Sequence, residues 1–203
     1  MEWLYQEQFI DYHIALKAMQ ERIAQIKCRE KPELVWCLQH PSLFTAGTSA
    51  QTEELLNDFG LPVYATGRGG RFTYHGPGQL VVYVMIDLIQ RRLDIKEFLN
   101  TLEGWGIRVL EAMGIKSEQR SGRTGLWVVN EQEHEEKIVA MGVRVSRGIT
   151  WHGMAINVSP QMEYFKGIIP CGLSGFGVTS LEQKGVRIDI KQVQKILKTN
   201  CPF

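Results

Sequence analysis

Three stretches of the chain hold residue types that can do covalent chemistry. The first is Ile168-Ile169-Pro170-Cys171-Gly172-Leu173. Pro170 stiffens the approach and has no N–H, while Gly172 lets a substrate come close to the backbone. A loop cysteine in that setting is better placed for attack than one within a strand. Cys37 falls in the apolar run Leu34–Leu38 and reads as core, Cys28 lies near the end of a helix, and Cys201 sits in the tail. Cys171 is therefore the best candidate nucleophile, the alternative being an ordinary surface or half-buried thiol.

A thiol attacks as its thiolate, so it needs a base or a neighbouring cation. His75, His152 and Lys137 are the candidates. Lys137 opens the glycine-ended apolar run Lys137-Ile138-Val139-Ala140-Met141-Gly142. Partial desolvation there would favour its neutral, proton-accepting form. It could equally close the acidic run Glu131–Glu136 as a solvated residue. The third stretch, Gly67-Arg68-Gly69-Gly70-Arg71-Phe72-Thr73-Tyr74-His75-Gly76-Pro77-Gly78-Gln79, is dense in glycine. It matches neither GxxxxGK[ST] nor a strand-embedded GxGxxG, so a nucleotide-phosphate reading is weak. Closely spaced glycines let backbone N–H groups face a ligand, and Arg68 can pair with an anionic or carbonyl group. A tight connection between two strands is the plainer alternative.

These stretches need a frame. Phe9, Tyr12, Leu16, Met19, Ile23 and Ile26 form the stripe of an amphipathic helix, which Lys31-Pro32 ends. Leu34–Leu38 reads as a short buried strand, His40-Pro41 through Gly47 as a loop, and the region from Gln51 to Asn57 as a short helix. Leu80–Ile86 is a strand buried on both faces. Ile95 to Met113 is a second long helix, in which Gly104 and Gly106 are expected to introduce a bend. Gly125–Val129 is a strand and Glu131–Glu136 a solvated turn. Lys137–Val145 and Thr150–Val158 form a hairpin about Ser146-Arg147-Gly148. A last helix carries Ile190, Val193, Ile196 and Leu197 on one face. The pattern predicts one domain over residues 1–203, of α+β class, with a mixed or largely antiparallel central sheet flanked by helices.

Lys plus Arg total 23 against 22 Asp plus Glu, a net charge of +1, which argues against general nucleic-acid binding. The four cysteines show no CxxC or zinc-site spacing, so no metal is expected. The start Met1-Glu2-Trp3-Leu4-Tyr5 has neither a basic n-region nor an apolar h-region, and no window approaches a membrane span of ~20 apolar residues. The expectation is a cytoplasmic protein with free thiols and no membrane association.

Taken together, RGGRFTYHGPGQL at 68–80, KIVAMGVRVSRGITWHGMAINV at 137–158, IIPCGL at 168–173 and GVTSL at 177–181 resemble the octanoyltransferases of lipoate biosynthesis. The blocks match in order and spacing, and they span most of the chain. The resemblance implies the biotin/lipoate-protein-ligase type of α/β fold. It implies transfer of octanoate from acyl carrier protein to a lysine of lipoyl domains, those of 2-oxoacid dehydrogenase complexes or of the glycine cleavage H protein. No cofactor is implied. Cys171 would carry the acyl group as a thioester, and Lys137 would lower its pKa or shuttle its proton. Arg68, Gly69, Gly70, Arg71, Phe72, Thr73, Tyr74 and His75 would line the acyl site. Ala140, Met141, Gly142, Gly153, Met154 and Ala155 would complete it, the small residues leaving a slot for the alkyl chain. Arg71 departs from the family pattern, which often carries an uncharged residue there. His75 is expected at the substrate and His152 in a structural role. Rival readings are an ATP-dependent lipoate-protein ligase, an amidotransferase between lipoyl proteins, and a non-catalytic module that binds acyl carrier proteins.

Overall fold

The computed structural model describes residues 1–169 and 175–203. Its main sheet contains β1 (Glu2–Tyr5), β2 (Leu34–Leu38), β6 (Gln79–Met85), β10 (Ile149–Asn157), β9 (Glu135–Ser146), β8 (Arg123–Val129) and β7 (Glu118–Arg120), in that spatial order. A short β11 (Gly177–Val178) runs parallel to β9. β1 is parallel to β2, and the other neighbours in the row are antiparallel, so the sheet is mixed as expected. A smaller sheet is formed by β4 (Val63–Ala65), β3 (Leu43–Ala46) and β5 (Phe72–His75).

Helices cover both faces of the main sheet. On one lie α3 (Ile95–Glu111) and α4 (Ile190–Thr199), which bury Phe98, Leu102, Trp105, Val193 and Leu197 against Val82, Val84, Ile138 and Ile156. On the other, α1 (Tyr12–Lys27) packs Ala15 and Met19 against Val81, Tyr83, Trp151 and Ala155. This period-two division of β6 and β10 between two cores explains why their sequences read as continuous apolar runs. The single-turn α2 (Leu88–Arg91) links β6 to α3.

Several boundaries differ from the sequence reading. α1 begins at Tyr12, because Asp11 caps it: its carboxylate accepts from the His13 amide at 2.9 Å, and Phe9 is left outside and exposed. Residues 43–46 are not loop but β3, paired in parallel to β4 and antiparallel to β5. The helix expected over 51–57 shrinks to a 3₁₀ turn at Thr52–Glu54. α3 runs unbroken through Gly104 and Gly106. Glu135 and Glu136 belong to β9 rather than to a solvated turn. Glu135 is paired with Arg120 and Arg123, and Glu136 with Lys184 at 2.6 Å.

One irregularity matters for the site. Across β8 and β9, Leu126 faces Val139 but Trp127 faces Lys137, so β9 carries one extra residue at Ile138. Ile138 and Val139 both enter the α3-side core. That is a β-bulge, which locally re-aims the side chains of the strand that carries it.

Candidate active site

A cavity of about 430 Å³ opens between the glycine-rich loop, β5 and the α1-side face of β6, β9 and β10. It brings together most of the residues singled out in the sequence. Arg68, Gly70, Arg71, Phe72, Thr73 and His75 line it from the loop and β5. Lys137, Ala140, Met141 and Gly142 line it from β9, and Gly153, Met154 and Ala155 from β10. Gly69 and Tyr74 do not. The Gly69 amide donates to the Val143 carbonyl at 3.0 Å, and Tyr74 is fully buried away from the cavity beside Phe44 and Phe165. Cys171 lies outside the described residues.

The small residues do different jobs. A Cβ on Gly142 would stand 2.8 Å from the Gly69 carbonyl oxygen, and one on Gly153 only 2.2 Å from that of Val82. Gly142 therefore seats the loop on the sheet, and Gly153 lets β10 close on β6. Neither glycine leaves open space for an alkyl chain. Ala140 and Ala155, opposite one another in register, form the low floor instead.

Arg68 is buried and turned onto its own loop. Its guanidinium donates to the Thr45 hydroxyl and carbonyl, to the Gly69 carbonyl at 3.0 Å and to the Arg71 carbonyl at 2.8 Å. Burial lowers its pKa to about 10, which still leaves it a cation at neutral pH. Its donors are largely committed to holding the loop shape, so of the anionic or carbonyl partners the sequence allowed it takes the carbonyls of Thr45, Gly69 and Arg71.

On the cavity wall and just behind it sits a set of histidines whose protonation the surroundings fix. His40 Nδ1 faces the Ile10 carbonyl at 2.6 Å, so it must carry the proton, and Nε2 accepts from the Tyr83 hydroxyl at 2.7 Å. For His75 the assignment runs along a chain. Asn157 Nδ2 donates to the Thr179 carbonyl at 2.9 Å, which turns Asn157 Oδ1 toward Gln79 Nε2, also at 2.9 Å. Gln79 Oε1 is then the acceptor for His75 Nδ1–H at 2.7 Å. His75 Nε2 is left as a bare lone pair. The Thr179 amide itself donates to the Lys137 carbonyl at 2.9 Å, so the chain joins His75 to the strand bearing Lys137.

Burial drives these imidazoles neutral. His75 falls to about 3, through desolvation first and then the neighbouring His40 and Arg68. His152 also falls to about 3, through desolvation with Arg68 and Arg144 adding, and His40 to about 4 by desolvation. His152 is a non-glycine residue at φ 60°, with its ring stacked on Trp151 at 4.6 Å and set edge-on to Tyr83 at 6.0 Å. It also lines the cavity. Such left-handed residues persist where the surroundings over-determine them, often at functional sites.

Lys137 is half-buried, not a solvated end of the acidic run. Its Nζ donates to the Thr124 carbonyl at 2.8 Å and stands 4.9 Å from the centroid of the Trp127 ring. The chain on either side of residues 170–174 is tied down. The Ile169 amide donates to the Glu54 carbonyl at 2.8 Å, and Val178 pairs with Lys137 itself. Sequence reasoning missed Tyr12 and Tyr83, which line the cavity but read as ordinary core positions of an amphipathic helix and a buried strand. It also missed Arg123 and Thr124, which reach the cavity rim from the start of β8. No signal in one sequence sets these apart.

Comparison with known proteins bears on what this cavity serves. The family model for the lipoyl protein ligase A/B catalytic domain matches residues 11–201. The octanoyltransferase of Wolbachia pipientis wMel is 48% identical, over 97% of this chain and 96% of that protein. That of Paramagnetospirillum magneticum is 46% identical over 100% and 95%. Among solved structures, a bipartite lipoate protein ligase from Thermoplasma acidophilum superposes with a TM-score of 0.70 at 15% identity, covering 98% of this chain and 82% of that one. Lipoate-protein ligase A bound with ATP superposes with a TM-score of 0.70 at 16% identity, covering 98% and 84%. These structural likenesses establish the fold, and the sequence matches establish the branch. The chain belongs to the lipoyl protein ligase A/B catalytic-domain family, among its octanoyltransferases, and is an acyltransferase of lipoate biosynthesis.

Proposed function

We propose that the protein takes octanoate from octanoyl acyl carrier protein onto Cys171 as a thioester and delivers it to a lysine of a lipoyl domain. Lys137 is the proton carrier of both steps. In the first, neutral Lys137 takes the Cys171 proton, and the thiolate attacks the donor's thioester carbonyl. The carbonyl's bond to the carrier sulfur breaks, and that sulfur leaves with the proton Lys137 holds. Thioester replaces thioester, so the exchange needs no ATP. In the second step the acceptor's neutral amine attacks, Lys137 accepts a proton from it and passes it to the Cys171 sulfur as the carbon–sulfur bond breaks, so Cys171 leaves as a thiol while a more stable amide forms.

The observation that carries the reading is the place of Lys137. It stands on the cavity wall, on the strand edge that pairs with the chain returning from the Cys171 segment. The competing bases are poor ones. An imidazole with a pKa of about 3, as in His75 and His152, holds almost no proton at neutral pH. The acceptors that suit this chemistry are the lipoyl domains of 2-oxoacid dehydrogenase complexes and the glycine cleavage H protein. A cytoplasmic setting suits a free thiol nucleophile, and among the described residues no helix is long and apolar enough to cross a membrane.

The test is intact-protein mass after incubation with octanoyl acyl carrier protein alone. One hydroxylamine-labile octanoyl group, mapped by peptide analysis to Cys171, is the expected result. An acyl group on another cysteine overturns the assignment. Efficient use of free octanoate with ATP, and none of the thioester donor, replaces the reading with that of a ligase.

A further inference from the structure

We propose that the Arg71–Glu54 ion pair is a positioning device for acyl transfer, locking the cavity's glycine-rich loop to the chain that leads into Cys171. The inference rests on the reading of Cys171 as the nucleophile.

Glu54 is a carboxylate with only 5% of its side chain exposed, a state that needs compensation. One oxygen is paired with Arg71 Nη1, and the other accepts from the Gln51 amide at 3.2 Å. The same residue's carbonyl accepts from the Ile169 amide at 2.8 Å, two positions before Cys171. Leu55 bridges Ile168, and the Leu56 and Asn57 amides both donate to the Gly167 carbonyl at 2.8 and 3.1 Å. Residues 54–57 thus clamp 167–169, and Glu54 is the one whose side chain reaches back across to the loop.

The other end of the pair is equally tied. Arg71 lines the cavity, and its carbonyl accepts from Arg68 Nη2 at 2.8 Å and from the Gly47 amide at 3.3 Å. A guanidinium on the cavity wall therefore holds a buried acid whose own backbone anchors the entry to the nucleophile's segment. Loop and clamp move as one unit while the pair is intact. When one partner is removed, the loop that shapes the acyl site keeps its apolar packing through Phe72 but loses its charged link to Glu54, and through it to residues 167–169. A misplacement of about 1 Å at reacting atoms is enough to slow a reaction strongly.

The experiment compares wild type with R71Q, E54Q and the double variant. It measures the single-turnover rate of acylation by octanoyl acyl carrier protein, iodoacetamide alkylation of Cys171 against pH, and Tm. Each single variant is expected to acylate about tenfold more slowly at temperatures far below its Tm, with the alkylation profile shifted to higher pH. The double variant is expected to be no slower than the slower single, because both act through one contact. Single variants at the wild-type rate, losses that multiply in the double, or losses that only follow the unfolded fraction overturn the proposal. Should R71Q not fold, E54Q against wild type carries the same comparison. Failure of the underlying reading shows separately: C171S in an otherwise wild-type chain would still gain the labile acyl group.

Discussion

The two faces of the main sheet are built from the same strands yet differ in kind. The α3/α4 face is a conventional interior of Phe98, Leu102, Trp105, Val109 and Leu197, with the indole of Trp105 donating to the Leu197 carbonyl. The α1 face begins the same way around Met19, Trp36 and Trp151, then gives way to His40, Tyr83, His75, His152 and Arg68, all buried. Burying so many polar groups is costly unless each is satisfied. Most are, through side chains with one permitted orientation, and the reward is a cavity whose hydrogen bonding is set before any substrate arrives. One face supplies stability, and the other spends part of it on order.

Three experiments break or sharpen that contrast. The largest effect is expected on the α1 face. Lys137→Ala should cost transfer about 10²–10⁴-fold, the usual range for a general base, while Tm changes little. Lys137→Arg should rescue poorly, since a guanidinium stays protonated. Rates of iodoacetamide alkylation of Cys171 against pH should show the thiol's apparent pKa rising in Lys137→Ala. Unchanged profiles with near-normal transfer would end the Lys137 assignment.

On the opposite face, Leu102→Ala should remove about 2–5 kcal/mol of stability by leaving a cavity in a closely packed core. Octanoyl transfer per folded molecule should stay near the wild-type value. Urea unfolding combined with transfer rates normalised to folded protein separates the two. A specific rate that falls along with stability would show that the faces are mechanically coupled.

The smallest effect concerns pH. His75 and His152 at about 3, and His40 at about 4, lie below the unfolded value of roughly 6.5. Between those limits the unfolded chain binds more protons, so stability falls as pH falls. From pH 7 to 5 each such histidine should cost roughly 2 kcal/mol. His75→Gln should flatten the dependence of the urea midpoint on pH by about one histidine's worth. An equal slope in variant and wild type would mean that His75 is not held neutral by the fold.

How much of this could be read from the residues divides along the same line. Regular apolar periodicity located α1, α3, α4, β2, β6 and the β9–β10 hairpin, because those signals are local. β3 escaped, since Leu43–Ala46 is short and becomes a strand only through β4 and β5, which lie some twenty to thirty residues further on. The motif blocks led to most of the cavity lining, but not to what each residue does there. Arg68 read as a partner for an anionic or carbonyl group, and the carbonyls it holds are those of Thr45 and of its own loop. His152 read as structural and lines the cavity. Tyr83 looked like any residue of a buried strand, and its contacts with His40 and His152 set it apart. Side chains whose meaning depends on a partner forty residues away leave no mark on their own neighbourhood.

The extra residue in β9 has an arithmetic consequence. A strand alternates sides with period two, so position 137 would by parity share the side of Val139 and Met141, whose side chains enter the α3-side core, while Ala140 and Gly142 take the other. The insertion at Ile138 resets that count once, and Lys137 joins Ala140 on the cavity wall. The cavity-facing frame and the packing frame of this strand are thus offset by a single residue. A deletion of Ile138 would keep Lys137 in the protein, yet turn it toward the oily side of the sheet.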